Sequence, residues 1–251
     1  MVQYFGNPRN PRRRSYAPAW SPADIAELLL DFDAEQYAYS DAGTTLCTDG
    51  QSVYRWYDTT HTVYVEQTSA GSRPIFGQGA NGKKFIDFNG GKRMEGSASI
   101  SSTLRQMWVT SLKRNSFTDN TFFYFHSGSG SSVTNASDQA SGGNHARFDY
   151  VGATGSALSL GNTGASTTAW ETFGLRIDAT DASALRDGAV EGSAALTGVN
   201  AADFTTLRIG GWLSAGYEAN FKLQRHMLFV TEPSSGDQSD LQTYLAANVP
   251  T

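Results

Sequence analysis

Residues 83–96, KKFIDFNGGKRMEG, carry the pattern on which the fold turns. A strand-like run holding one acid, Asp87, stops at Asn89-Gly90-Gly91 and restarts with a basic pair. Asn and Gly tolerate the positive φ of a tight turn, so the stretch reads as two strands joined at a corner. Asp87 then reads as a hydrogen-bonding corner residue rather than a catalytic acid. The preceding GQGANGKK (77–84) satisfies G-x-G-x-x-G through Gly77, Gly79 and Gly82 and approaches a phosphate loop. Both motifs need a helix after the glycines, and the phosphate loop needs Ser or Thr where Lys84 stands. The run after these glycines, KKFIDF, has the character of a strand, which predicts a plain glycine turn.

Outward from this corner the same grammar repeats. QYAYS (36–40), SVYRWYD (52–58), TVYVEQ (62–67), QMWVTSLKR (106–114), TFFYFH (121–126), HARFDYV (145–151), WETFGLRID (170–178), TTLRIGG (205–211) and FKLQRHMLFVTE (221–232) are rich in β-branched and aromatic residues. Gly, Asn, Asp and Ser bound them. No long helical pattern separates them, so the sheets are expected to be antiparallel, because parallel strands need crossover helices. In FKLQRHMLFV, Phe221, Leu223, Met227 and Phe229 are expected on a buried face, with Lys222, Gln224 and His226 on a wet one. Two short helices are predicted. Ser21, Pro22 and Asp24 make a capping box before LLLDFDA, and Ser235 with Gln238 makes another before a Leu241, Tyr244, Leu245 stripe expected to pack on the sandwich edge. The polar stretches 127–144 and 152–167 read as long loops.

The 251 residues suit one all-β domain, and 26 glycines agree with many turns. A net charge of -5 argues against a general nucleic-acid binder, which needs Lys and Arg in excess. The exception is local: Arg9, Arg12, Arg13 and Arg14 cluster in GNPRNPRRRSYAP (6–18), where prolines exclude regular structure and predict an extended arm over residues 1–20. A single cysteine, Cys47, excludes an internal disulfide framework and a multi-cysteine zinc site. No apolar run reaches the roughly 20 residues of a membrane span, and the N-terminus lacks a signal-peptide core. A soluble protein made in a reducing cytoplasm is expected, with no membrane insertion.

Glycan hydrolysis needs two carboxylates flanking the scissile bond. Asp87 and Asp149 each stand alone in a strand, and Asp31 and Asp33 have no third acid beside them. His61, His126, His145 and His226 show no metal-ligand spacing, and no G-x-S-x-G elbow accompanies the serines, so neither a catalytic set nor a resident metal is expected. The loop oxygens of Asn135, Asp138 and Asn144 are calcium-ligand types but read as a solvated loop, so no cofactor is expected. Carbohydrate binding asks for less: an exposed aromatic to stack on a sugar ring, with amides or carboxylates for its hydroxyls. Trp212, Tyr217 and Asn220 form one such candidate, and Asn144, His145 and Asp149 a second.

The order of segments resembles a concanavalin A-like, laminin G-like jelly-roll domain of the kind found in tailed-phage virion proteins and bacterial surface proteins. LLLDFDA (28–34), YRWYDTT (54–60), SRPIF (72–76), NGKKFIDFNGG (81–91), WETFGLRID, LRIGG (207–211) and the terminal strand and helix carry the resemblance. It covers about residues 21–250. Phe88-Asn89-Gly90 stands where such domains usually have Phe-Asp-Gly, and His226 near the place of a common acid. The resemblance implies an all-β, two-sheet antiparallel jelly-roll over 21–251, with lectins, glycanases and scaffolds as its functions. The leading expectation is a noncatalytic virion-surface protein that binds host-surface polysaccharide and docks on other virion proteins through its arm. A polysaccharide-degrading enzyme and a ligand-free decoration protein are the alternatives, and homo-oligomerisation is left open.

Overall fold

The computed structural model describes residues 20–100, 106–115, 120–126, 133–139, 145–151, 157–160, 169–178, 181–195, 204–210 and 220–251. Its strands are β1 (Leu28–Asp33), β2 (Ala38–Tyr39), β3 (Arg55–Tyr57), β4 (Tyr64–Glu66), β5 (Ile75–Gln78), β6 (Lys84–Asp87), β7 (Met94–Ile100), β8 (Gln106–Arg114), β9 (Asn120–His126), β10 (Val133–Gln139), β11 (His145–Val151), β12 (Ala157–Leu160), β13 (Trp170–Ile177), β14 (Asp181–Arg186), β15 (Ala189–Ala195), β16 (Phe204–Ile209) and β17 (Phe221–Phe229). One helix, α1 (Ser235–Asn248), comes after them. The first sheet runs β15-β14-β13-β8-β17-β6-β5, with β1 also paired to β17, and the second runs β12-β11-β10-β9-β16-β7-β4-β3-β2. The pairings between these strands are antiparallel. The molecule is therefore an all-β sandwich.

The 83–96 corner performs the crossing. β6 belongs to the first sheet and β7 to the second, and Gly90 (φ 73) and Gly91 (φ 80) take the left-handed backbone between them. Asp87 accepts from the Asn89 amide at 3.1 Å and the Asn115 side-chain amide at 3.2 Å, a corner role as expected. Between the sheets lies a core that includes Trp56, Trp108, Phe32, Phe88 and Phe221. Phe88 stacks on Phe221 at 5.1 Å, and the Trp56 indole donates to the Asp33 carbonyl at 3.2 Å, tying β3 to β1. Each such side chain contributes about 1.5–3 kcal/mol by leaving water.

β17 departs from the simple alternation. Its pairing with β8 shifts register between Leu223 and Arg225, a bulge that moves the subsequent residues to the opposite faces. His226 is consequently fully buried, stacked on Trp108 at 5.7 Å with its Nδ1 2.8 Å from the Thr110 hydroxyl, rather than on a wet face. Met227 and Phe229 turn outward with Met107 and Val109, where Leu241 and Leu245 of α1 cover them. The helix thus lies on the sheet's outer face, not on the sandwich edge, and gives the first sheet two buried sides. Gln224 is buried as well. The α1 cap is Ser234, one residue before the expected Ser235, because Asp237 three positions on completes the hydrogen bond to it. At the other end the Ser21 capping box forms, but it closes only a 3-10 turn, Pro22–Asp24.

Four further strands fall where loops were expected or nothing was read. β10 and β12 lie inside the polar stretches, and β14 and β15 form a hairpin through Asp187 (φ 47) and Gly188 (φ 80). The glycine turn at 79–82 leads into β6, as expected. Gly79 has a packing reason, since a Cβ there would stand 2.7 Å from the Thr251 carbonyl oxygen, and Gly82 a conformational one, its φ of 80°; Asn81 and Lys83 hold Val249 and Asn248.

Candidate functional site

Pairing register sorts β2, β3 and β4 into two faces. Ala38, Trp56 and Val65 are opposite one another and buried in the core. Tyr39, Arg55 and Glu66, with Tyr57 and Tyr64, therefore share the outward face. Two flanking aromatics complete a shelf there. Tyr37 (φ 58) precedes β2, and His61 (φ 60) lies in the turn between β3 and β4, both in the left-handed region that non-glycine residues rarely enter.

The rings form one assembly. His61 stacks on Tyr57 at 4.8 Å with an interplanar angle of 21° and meets Tyr37 edge-on at 3.9 Å. Tyr57 in turn lies 5.2 Å from Tyr64 and 5.9 Å from Tyr39. His61 is exposed and Tyr64 is 37% exposed, so the shelf presents aromatic surface to solvent.

Two carboxylates hold the loops that shape it. Asp58, fully buried, accepts from the backbone amides of Thr62 and Val63 at 2.9 Å and from the Thr60 hydroxyl at 2.5 Å, which fixes the turn carrying His61. Asp41 accepts from the Thr44 hydroxyl at 2.6 Å and from the Gly43, Thr44 and Thr45 amides; the Thr44 and backbone hydrogen bonds hold its carboxyl far below the usual carboxylate range. Gly43 (φ 120) takes a backbone conformation that residues with a side chain rarely adopt, and it lies directly against the Tyr57 ring, 3.4 Å from where a Cβ would stand. Gly96 of β7 lets β4 approach: a Cβ there would stand 1.8 Å from the Tyr64 carbonyl oxygen.

Arg55 lies over the Tyr64 ring at 4.3 Å. Its guanidinium donates to Glu66 at 2.5 and 3.0 Å, to the Ala42 carbonyl at 2.7 Å and to the Tyr57 hydroxyl at 3.2 Å. Arg73 sits over Tyr54 at 4.7 Å and donates to the carbonyls of Gln67 and Thr68. The arrangement offers flat apolar faces ringed by hydroxyls and engaged charges, which suits stacking and hydrogen bonding rather than proton transfer.

The residues expected to bind sugar are not gathered here. Trp212, Tyr217 and Asn144, like Arg9, Arg12, Arg13 and Arg14, lie outside the described residues. His145 and Asp149 are on β11, toward the opposite end of the second sheet from the shelf, and Asn220 leads into β17 of the first sheet. Asn135 and Asp138 belong to strand β10 rather than to a loop. Asp31 and Asp33 do acquire a partner, but it is Arg225, which binds Asp31 through two nitrogens and Asp33 at 3.1 Å beneath α1. Burial works against the Arg225 charge and the two carboxylates more than offset it, so its guanidinium sits above its ordinary range. Among the described residues no three His, Cys, Asp or Glu side chains converge as a metal site. The shelf itself was missed, although all of its residues except His61 fall inside QYAYS, SVYRWYD and TVYVEQ. The available signal was a tyrosine at every outward position flanking the Arg–Glu pair.

No family model matches the chain, and no curated protein matches it in sequence. Its fold is similar to that of domain 4 of AbnA, a GH43 extracellular arabinanase from Geobacillus stearothermophilus solved in complex with arabinotriose. There the TM-score is 0.60 at 13% identity, covering 87% of this chain and 99% of that one. It is also similar to the binding domain of Paraclostridial Mosquitocidal Protein 1, with a TM-score of 0.60 at 8% identity over 88% of this chain and 52% of that one. A third similar structure is the botulinum neurotoxin serotype D ligand binding domain in complex with N-acetylneuraminic acid, with a TM-score of 0.54 at 11% identity over 90% and 52% of the two chains. This chain spans about half the length of the two toxin domains. At these identities the likeness is one of fold, a sandwich-like β domain.

Proposed function

We propose that this chain is a noncatalytic glycan-binding module that stacks sugar rings on the Tyr37, Tyr57, His61 and Tyr64 shelf. The observation that carries the reading is the shelf's construction: Tyr57 and Tyr64 held outward by strand register, flanked by Tyr37 and His61 in left-handed backbone. Such conformations cost on the order of 1–3 kcal/mol each and persist where the surroundings enforce them, commonly at ligand sites. The similar solved structures in complex with arabinotriose and N-acetylneuraminic acid support a sugar as ligand. The noncatalytic part of the reading draws support from five acids committed to structural contacts: Asp31 and Asp33 hold Arg225, Asp58 holds its loop, Asp87 its corner and Glu66 binds Arg55.

The module serves a tailed-phage or phage-derived virion, displayed at its surface to meet host polysaccharide. The arginine- and proline-rich arm, residues 1–20, anchors it by pairing guanidinium groups with carboxylates of a neighbouring virion protein, and residues 21–251 form the displayed domain. A glycan array probed with the full chain and with Tyr57→Ala tests the binding. The parent is expected to bind at least one glycan about tenfold more tightly than the variant, the equivalent of about 1.4 kcal/mol of lost stacking. A parent that binds no glycan, or a variant that binds equally well while folded, refutes it. Deleting residues 1–20 is expected to abolish incorporation into particles without unfolding the domain; unchanged incorporation refutes the anchor.

A further inference from the structure

Resting on that reading, we infer that the shelf selects neutral glycans and rejects sugars carrying a carboxylate. A carboxylated sugar is held by cations whose donors face the ligand, most strongly by a guanidinium offering two parallel N–H groups. The Arg55 fork is closed by Glu66: both Nε and Nη2 reach the same Oε2, and Nη1 is committed to the Ala42 carbonyl and the Tyr57 hydroxyl. Arg73 is turned toward the carbonyls of Gln67 and Thr68 while its plane covers Tyr54. The carboxylates of Glu66 and Asp41 lie at the same rim, the latter held strongly in its charged form by Thr44 and the backbone. An incoming anion would find the Arg55 charge already neutralised by Glu66 and would meet the Asp41 carboxylate, which hydroxyl and amide donors hold but no cation balances.

A neutral sugar meets no such cost. Its C–H face packs on the Tyr57–His61 stack and on Tyr64, and its hydroxyls reach phenolic oxygens and the Glu66 carboxylate. The arginines then act from behind the rings: with its guanidinium 4.3 Å from the centre of the Tyr64 ring, Arg55 fixes that ring rather than the ligand.

The test measures binding of the full chain to neutral arabino-, xylo- and gluco-oligosaccharides beside sialyl and galacturonate oligosaccharides, for the parent, Tyr57→Ala and Glu66→Gln. The parent is expected to bind a neutral glycan, through Tyr57, with less than about twofold change between roughly 50 and 500 mM salt, because no ion pair is screened. Glu66→Gln, which releases the Arg55 fork, is expected to raise affinity for the acidic probes several-fold. Preferential binding of an acidic probe that Tyr57→Ala abolishes overturns the neutral preference and leaves the glycan reading standing. Binding to no probe, or binding that Tyr57→Ala leaves intact, overturns both.

Discussion

Acidification from pH 7 to pH 5 is expected to weaken this fold through one residue, His226. The ring is fully buried against Trp108 and Thr110, and burial pushes its pKa from 6.5 down to about 3. The unfolded chain takes up a proton near pH 6.5 that the native state refuses until about pH 3. The stability His226 provides is therefore fully present above pH 6.5 and is lost progressively as pH falls toward 3. At about 1.36 kcal/mol per unit, the fall to pH 5 costs about 2 kcal/mol, or about 1 M in a urea midpoint. The assay is equilibrium urea unfolding at pH 7 and pH 5 for the parent and for His226→Leu. Because other titrating groups act in both proteins, the difference between the two pH dependences isolates the histidine. If His226→Leu loses as much stability as the parent over this interval, the buried neutral ring is not the cause and the argument fails.

Two other perturbations act on particular contacts. Arg225→Met removes the cation that holds Asp31 and Asp33 under α1 and should cost about 3–5 kcal/mol, as for a buried pair broken on one side; denaturant unfolding of that variant beside a triple change of all three residues to apolar ones, expected to recover most of the loss, checks it. Gly96→Ala drives a Cβ into the Tyr64 carbonyl, so β4 should shift away from β7; a stability loss of about 1–3 kcal/mol together with weakened glycan binding is expected, and unchanged binding would separate β4 from the shelf.

Strand content was readable wherever a run alternated or was aromatic, because burying one face of a sheet imposes a period of two on local sequence. That signal located the segments of β3, β8, β13 and β17. It failed for β10, where VTNASDQ has no alternation of apolar residues. β14 and β15 also escaped, although the Asp187-Gly188 pair between them is a strong hairpin signal, with both residues at positive φ in the structure. The same period misplaced His226, since one extra residue at Gln224 inverts every subsequent face and nothing in the composition of FKLQRHMLFV marks the bulge.

The chain's local chemistry by itself determined the class: many short antiparallel strands, a corner at Asn89-Gly90-Gly91, a glycine turn before β6 and a capped terminal helix. Each depends on the φ preferences or periodicity of neighbouring residues, which travel with the sequence. Tertiary structure alone decided that the corner joins opposite sheets, that α1 covers the outer face of the first sheet, and that Arg225 is the partner of two acids nearly two hundred residues away. It also decided the shelf. Tyrosines that look like ordinary strand formers become a site only when cross-strand register sends Trp56 and Val65 inward and turns Tyr57 and Tyr64 the other way, beside His61 in the turn between them, because facing in a strand is set by pairing between strands rather than by any residue's own preference.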